Sequence, residues 1–246
     1  MNKIDQERFL RARASAEAEM QLDGGIGTLS EKLLHKTVKF YVDPCREHHE
    51  IEYLGAVADV KNEQGIFEIQ TRQFSYLIPK LRKFLENNCV TVIYPIVSEK
   101  TIYWIDEHGA VSKPRKTSRT GRATDVLFEA SALSGIIPNK NLIIRVMLIR
   151  AEEYRRLDGW DSSGKRGSSR AQLVPTELVN VIDLACERDY AQLLPPLPDG
   201  FTAKDFSRSL RLKGRRASYS LTLLRRIGVV EQIGKRGKAF LYRIND

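Results

Sequence analysis

Two carboxylates in one short stretch of this chain have the spacing of a metal site. Residues 57–71 are predicted to form two short strands joined by a tight turn around Gly65. Asp59 lies in the first strand and Glu68 in the second, where side chains alternate between the two faces of the sheet. Pairing of the strands brings the carboxylates together, and like charges held close favour a cation between them. Since Mg²⁺ is commonly held by one or two carboxylates and several waters, we predict that Asp59 and Glu68 bind Mg²⁺ or Mn²⁺.

The arrangement Asp, short gap, Glu-x-Gln, formed by Asp59, Glu68 and Gln70, resembles the restriction-endonuclease-like (PD-(D/E)xK) superfamily. The usual signature of that superfamily is Asp followed by Asp/Glu-x-Lys on a hairpin. The chain is most similar to the branch with Gln in the Lys position, which includes CoiA-like competence-associated nucleases. The resemblance implies that Asp59 and Glu68 are the metal-binding acids and that Gln70 stands where the catalytic lysine would be. Because Gln carries no charge, Gln70 would orient water or phosphate, and Lys36 or Lys61 would supply the missing cation.

The helix before the hairpin carries further candidates for the same site. In the superfamily that the hairpin resembles, the first core helix often supplies an additional acid, and Glu31 is the residue that matches. Glu31 and His35 share one helical face because they are four residues apart. A capping box formed by Thr28 and Glu31 is the alternative role of this acid. Packing is the alternative role of His35.

The elements predicted around the hairpin define its expected fold. The order helix, three strands, helix, strand over residues 26–106 is the core order of the restriction-endonuclease-like fold. The apolar run 90–97 is typical of a strand that is buried on both faces, and 101–106 is predicted to be a separate strand. We therefore expect an α/β fold in which a restriction-endonuclease-like mixed sheet, flanked by helices, occupies residues 26–172. Residues 1–25 are expected to form an N-terminal helical extension.

Residues 173–246 form the second predicted unit. A helix, a turn, a second helix and a hairpin with a basic tip resemble a winged helix-turn-helix domain, whose leading helix would come from residues 176–193. The resemblance places these side chains at the start of the recognition helix, in the major groove of DNA: Arg215, Arg216, Ser218 and Tyr219. It places these cations at the tip of the wing, beside flanking phosphates: Lys235, Arg236 and Lys238. A winged helix used for protein contacts is the alternative.

The whole net charge of +9 lies in the C-terminal segment. Residues 201–246 contain 12 Lys/Arg and 3 Asp/Glu, so the first 200 residues hold 40 − 12 = 28 basic and 31 − 3 = 28 acidic residues. A local surplus of this size predicts a polyanionic partner, with DNA as the first candidate and RNA as the alternative.

Two loops combine cations with Ser, Thr or Gly, a mixture that suits phosphate oxygens. One is residues 164–170, and the other is residues 112–122. The second loop supplies these candidate nucleic-acid contacts: Lys113, Arg115 and Lys116. A solvated loop without a partner is the alternative for each.

Composition excludes several classes of protein. With 42% hydrophobic and 29% charged residues among 246, the chain resembles an ordinary globular protein rather than a disordered one. No apolar run approaches the ~18 residues needed to span a membrane, and the first 20 residues lack the apolar core of a secretory signal. The cysteines are few, odd in number and far apart, which argues against a disulfide framework: Cys45, Cys89 and Cys186. These features predict a cytoplasmic location without membrane partners.

Together the two units predict a metal-dependent nuclease that hydrolyses phosphodiester bonds of DNA and is targeted by its C-terminal domain. The metal would activate water and stabilise the departing oxygen. The alternative is a DNA-binding regulator whose nuclease-like core has lost its chemistry and serves as a scaffold or as the surface of a homodimer. The uncharged Gln70 motivates this alternative.

Overall fold

The computed structural model describes residues 5–22, 29–118, 120–157 and 169–245, and at 29–32 and 169–171 only the backbone. The described residues form seven α-helices: α1 (Gln6–Leu22), α2 (Leu29–Val42), α3 (Ile78–Phe84), α4 (Val126–Ala130), α5 (Glu187–Gln192), α6 (Ala203–Ser209) and α7 (Arg215–Arg226). They also form ten strands: β1 (His49–Tyr53), β2 (Ala56–Asn62), β3 (Gly65–Ile69), β4 (Val90–Ile105), β5 (Arg115–Lys116), β6 (Leu142–Arg156), β7 (Ser169–Leu184), β8 (Phe201–Thr202), β9 (Val230–Arg236) and β10 (Ala239–Ile244). None of the described helices combines the length and the apolar composition that crossing a membrane requires.

A mixed sheet of seven strands organises the larger part of the chain. Its strand order is β1-β2-β3-β4-β6-β7, and β5 pairs with the second half of β4. The central strands β3, β4 and β6 are parallel, whereas β1, β2, β5 and β7 pair antiparallel with their neighbours. The chain therefore has an α/β fold with a mixed sheet flanked by helices, which confirms the coarse fold class expected from the sequence.

Both faces of the central strands are buried. Val92 of β4 packs in one cluster with residues of α3 and α4, while the next residue, Ile93, packs in a second cluster with residues of α1 and α2. Val146 and Met147 of β6 divide between the same two clusters. This explains why the strands are apolar at consecutive positions, since each side chain meets a layer of helices.

Two predicted boundaries differ from the structure. Residues 90–97 and 101–106 are one continuous strand, β4, because its pairing with β6 continues past a register shift between Val97 and Glu99. The polar residues at that shift form a β-bulge instead of a turn. The helix after the hairpin, predicted from the sequence over residues 71–88, is shorter than that, because a 3-10 turn at Phe74–Leu77 precedes α3.

The C-terminal residues form a smaller sheet, of order β8-β10-β9, with α6 and α7 packed against it. Thr202 and Asp205 begin α6 with a reciprocal capping box. The segment 176–193, expected to supply a leading helix, contains the end of β7 followed by the short α5. The division expected at 172/173 falls inside β7, so the large sheet continues to Leu184.

The smaller sheet and its helices share a core with the large sheet. Tyr190, Phe201 and Phe206 are buried in the same cluster as Val92 of β4. Helix α7 packs on α4, and the Arg226 guanidinium donates to a serine hydroxyl just beyond α4 at 2.9 Å. The C-terminal helices are thus attached to the large sheet through α4.

Candidate functional site

The β2–β3 hairpin opens at Asp59. Backbone pairing between the two strands runs from the turn to Val60 and Phe67, and the next pair would have been Asp59 and Glu68. There the Asp59 side chain takes the place of the backbone, since its Oδ2 accepts a hydrogen bond of 2.8 Å from the Ile69 N–H. The carboxylate of the first strand is thereby fixed against the backbone of the second.

The Glu68 carboxylate is buried beside a lysine from the following helix. The residue is 1% exposed, and its Oε2 accepts a hydrogen bond of 2.6 Å from Lys80 Nζ of α3. The other oxygen, Oε1, is buried and has no hydrogen-bond partner among the described residues. An unpaired carboxylate oxygen in a protein interior carries a desolvation cost that a bound cation would relieve.

Helix α2 supplies the groups that face Asp59. His35 Nε2 lies 3.4 Å from Oδ2, and Lys39 Nζ lies 3.3 Å from Oδ1. Lys39 is 5% exposed and also binds Glu50 of β1 at 3.0 Å. His35 and Lys39 are four residues apart, so the spacing that placed His35 on a helical face with Glu31 also places Lys39 there.

These surroundings move the pKa values of the two acids in opposite directions. Burial acts to raise the pKa of Asp59, but His35, Lys39 and the Ile69 amide outweigh it and lower this pKa to about 2. Burial, and then the negative charge of Asp59, raises the pKa of Glu68 to about 7. Near neutral pH, Asp59 is therefore ionised while Glu68 is partly protonated.

The lysine beside Glu68 only partly compensates for its burial. The hydrogen bond and the charge of Lys80, and then the nearby backbone N–H of Asp59, lower the pKa of Glu68, yet burial and the negative charge of Asp59 outweigh them. Because the charge of Asp59 raises the pKa of Glu68, the two carboxylates interact although each also has a cation on a different helix. Like charges coupled in this way would be stabilised by a divalent cation.

The donor set suits a hard divalent cation. Among the described residues, Asp59 and Glu68 are not joined by a third His, Cys, Asp or Glu in a cluster that could hold a metal ion. Mg²⁺ commonly takes one or two carboxylates and keeps several waters, so two acids are sufficient. The buried, unpaired Oε1 of Glu68 is the atom of this pair that most requires such a ligand.

The other residues predicted for the site have varied positions. Gln70 directly follows β3, and its side-chain amide donates to the Arg72 carbonyl, within its own loop. Lys36 binds Glu19 of α1 at 3.1 Å, and Lys61 Nζ lies 4.8 Å from the centre of the Tyr53 ring. Glu31 lies in α2, but its side chain and all of Thr28 are outside the described residues.

Sequence reasoning missed Lys80 and Lys39. Lys80 lies in α3, and the sequence alone does not define how that helix is rotated on the sheet. The sequence did contain one indication of the position of Lys80. A helix that joins the parallel strands β3 and β4 must lie over one face of both strands. A lysine at its start is then near the end of β3.

The four residues predicted to begin a recognition helix are all exposed, and two of them also contact α4. The Arg216 guanidinium lies 5.3 Å from the centre of the Phe128 ring of α4, and Tyr219 packs edge-on to the same ring at 6.2 Å. Two of the four side chains therefore help to attach α7 to α4.

The remaining basic candidates lie on the surface. Lys235 Nζ lies 4.8 Å from the centre of the Phe240 ring. The three cations at the tip of the β9–β10 hairpin are all exposed: Lys235, Arg236 and Lys238. The three cations of the earlier loop are exposed, and two of them form β5: Lys113, Arg115 and Lys116. Residues 164–168 of the second basic loop lie outside the described residues.

Comparison with known proteins finds relatives of unassigned activity. Residues 32–185, from α2 to the end of β7, match a family described as Domain of unknown function (DUF8091). An uncharacterized protein of Treponema pallidum (strain Nichols) is 29% identical over 223 residues, which are 89% of this chain and 87% of that protein. No solved structure matches the chain.

Proposed function

The chain belongs to the DUF8091 family, and for this member we propose a metal-dependent nuclease that hydrolyses phosphodiester bonds of DNA. The observation that carries the proposal is the buried Oε1 of Glu68, which has no hydrogen-bond partner among the described residues, in a carboxyl group whose pKa the charge of Asp59 helps to raise. Strongly shifted pKa values within one small group of acids and cations are typical of functional sites.

The order of elements supports a restriction-endonuclease-like core. Helix α2, the strands β1, β2 and β3, helix α3 and strand β4 follow one another in the order that the resemblance implies. Asp59 and Glu68 lie on adjacent strands at the edge of the parallel part of the sheet. Their side chains contact different helices, Asp59 α2 and Glu68 α3, which pack on opposite faces of the sheet, so the support comes from the order of the elements and from the adjacent strands.

The chain's own residues have distinct roles in this proposal. Asp59 and Glu68 would hold Mg²⁺, which when bound supplies positive charge to a phosphate and lowers the pKa of a water. The Ile69 amide fixes the Asp59 carboxylate in place. Lys80 provides, next to Glu68, the positive charge that Gln70 lacks, where it would stabilise negative charge developing on phosphate oxygens.

The C-terminal elements support delivery to DNA by a winged helix. Helices α6 and α7 are followed by the β9–β10 hairpin, as in that module. Arg215 at the start of α7 and Arg236 near the tip of the hairpin are both exposed. The surplus of positive charge lies in the same segment, which favours a polyanionic partner.

A cleavage assay with matched variants tests the proposal. Plasmid DNA, single-stranded DNA and RNA are incubated with the protein in Mg²⁺, in Mn²⁺ and in EDTA. We expect metal-dependent cleavage of DNA that falls at least about a hundredfold in Asp59→Asn and in Glu68→Gln, the size typical of a lost catalytic group. Glu50→Gln, which removes an exposed carboxylate that also binds Lys39, is the control and keeps its activity.

The outcome is not confused by unfolding. The amide that Glu68→Gln introduces cannot ionise, so this variant lacks the cost of a buried charge at neutral pH and stays folded. No cleavage of any substrate with either metal, or equal cleavage by the wild type and Glu68→Gln, would refute the nuclease.

A DNA-binding regulator is the second candidate, and two contacts favour it. The Gln70 amide is engaged by the Arg72 carbonyl, and Glu68 already has a cation in Lys80. A core that had lost its chemistry would keep such internal pairs. This candidate predicts DNA binding in EDTA without cleavage, and no change in thermal unfolding on addition of Mg²⁺.

A further inference from the structure

A basic cleft lies between the two parts of the chain. It is formed by the loop that follows β5 and by the turn between α6 and α7, and its volume is about 490 Å³. Four cations and a single carboxylate line it: Arg122, Arg211, Lys213 and Arg216, with Asp125. The excess of positive charge makes it a site for an anion.

Two of the cations are held in place by the fold. Arg122 Nη1 donates to the Leu210 carbonyl at 3.0 Å, which joins the loop to the turn. Arg216 lies over Phe128, with its Nη2 3.9 Å from Asp125 Oδ1. These side chains are positioned before any ligand arrives, so little further ordering is needed on binding.

The other two cations of the cleft are not held by such contacts. Arg211 and Lys213 are exposed and, within the part of the chain that the structure describes, neither forms an ion pair. Arg211 has a φ of +52°, the left-handed region in which glycine is unstrained and arginine is not. A charged residue is present where the backbone alone would favour glycine.

We infer that this cleft binds a phosphate group of a nucleic-acid backbone. Arginine forks and a threonine hydroxyl at residue 120 match phosphate oxygens in charge and in hydrogen-bond geometry. The inference rests on the proposed function for the choice of a nucleic acid as the source of the phosphate.

The position of the cleft relative to the acids supports a backbone phosphate. The Gly121 N–H donates to the Val97 carbonyl at 3.1 Å, and a Cβ at this glycine would lie only 2.8 Å from that oxygen. The loop is therefore fixed on β4 at Val97, five residues beyond Val92, the partner of Glu68. Five residues of strand span about 16 Å, which equals the axial rise of about five base pairs of duplex DNA at ~3.4 Å each.

Binding of a labelled DNA oligonucleotide, measured in EDTA at several salt concentrations, tests the inference. The test variant is Arg211→Gly with Lys213→Gln, and it stays folded because glycine accepts the left-handed backbone. The control removes two exposed cations elsewhere, Lys140→Gln with Arg188→Gln. We expect the test variant to bind about tenfold or more weakly, with the slope of log affinity against log salt reduced by about 1, as for one lost phosphate contact. The control should bind as the wild type does.

Three outcomes overturn the inference. One is equal affinity of the test variant and the wild type, and another is equal weakening in the test and control variants. The third is displacement of the oligonucleotide by pyrophosphate or inorganic phosphate at matched phosphate concentration, which would identify the cleft as a site for a free anion. Since no metal is present, loss of binding in the test variant supports the cleft even if cleavage is never observed. If cleavage depends on Asp59 but the test variant binds DNA as the wild type does, the inference about the cleft is refuted and the proposed nuclease is not.

Discussion

Replacing Glu68 with glutamine should change how the stability of the protein depends on pH. Burial, followed by the charge of Asp59, raises the pKa of Glu68 from 4.5 to about 7 in the folded protein. Between these two values the folded protein binds more protons at this position than the unfolded chain does. The free energy of unfolding must therefore fall as pH rises through this range. Glu68→Gln removes the ionisable group and, with it, this loss of stability.

The size of the effect follows from the two pKa values. A difference of one in pKa corresponds to about 1.4 kcal/mol, so a rise from 4.5 to about 7 corresponds to about 3 kcal/mol in total. Most of this, about 2–3 kcal/mol, is lost by the wild type between pH 5 and pH 8. The variant also leaves Lys80 without its carboxylate, but that lysine is 28% exposed and reaches water. The change with pH, rather than the absolute stability, is the informative quantity.

Urea unfolding in EDTA at constant ionic strength, from pH 5 to pH 8, measures this change in the free energy of unfolding with pH. We expect the stability of Glu68→Gln relative to the wild type to increase by about 2–3 kcal/mol across this range. Glu86→Gln, which removes an exposed glutamate beyond α3, should keep the wild-type profile. Parallel profiles of the wild type and Glu68→Gln would show that the carboxyl group is not held at a raised pKa, and the electrostatic basis of the metal site would be wrong.

Three further variants test other contacts. Asp59→Asn should destabilise the protein at neutral pH by about 2 kcal/mol, because the pKa of Asp59 is lowered from 3.8 to about 2 in the folded protein. This stabilisation is present above pH ~4 and is lost toward pH 2. If the free energy of unfolding of the variant and of the wild type fell equally between pH 4 and pH 2, the prediction would be contradicted. Lys80→Met should shift the pH dependence of cleavage to higher pH, since its charge lowers the pKa of Glu68; a pH profile identical to that of the wild type would exclude the role given to Lys80. Phe128→Ala should lower the thermal unfolding temperature, because its ring contacts both Arg216 and Tyr219 and each such contact contributes about 0.5–1.5 kcal/mol. Tyr76→Ala, which removes a ring that is 71% exposed, is the control.

The hairpin was predictable because its signals are local. Alternation within residues 57–71 and a glycine at the turn are enough to define β2 and β3, with Asp59 just beyond their last backbone pair, Val60 with Phe67. The side-chain hydrogen bond from the Ile69 amide to Asp59 was not predictable, since it depends on the strands separating at that point.

Long-range pairing decided what the sequence alone could not. The polar residues around Glu99 have the composition of a turn, yet β4 continues through them because β6 pairs along its whole length. The segment 176–193 was expected to supply a helix, and pairing with β6 makes its residues up to Leu184 part of a strand. The cations at the two acids come from α2 and α3, so their positions depend on how each helix is rotated on the sheet.

Activity should depend on a positive charge lying close to Glu68 in the folded protein, whichever residue of the sequence carries it. Gln70 and Glu68 are two residues apart at the end of β3, so a lysine at residue 70 would lie on the same side of the strand as Glu68. If Lys80 supplies the charge that Gln70 lacks, then Lys80→Met should reduce cleavage, and Gln70→Lys in the same chain should restore it at least partly. Gln70→Lys alone is the matched control, because it loses the amide contact with Arg72 in the same way. Restoration would identify the charge itself as the requirement, whereas a double variant no more active than Lys80→Met would show that Lys80 acts only by holding Glu68 in place.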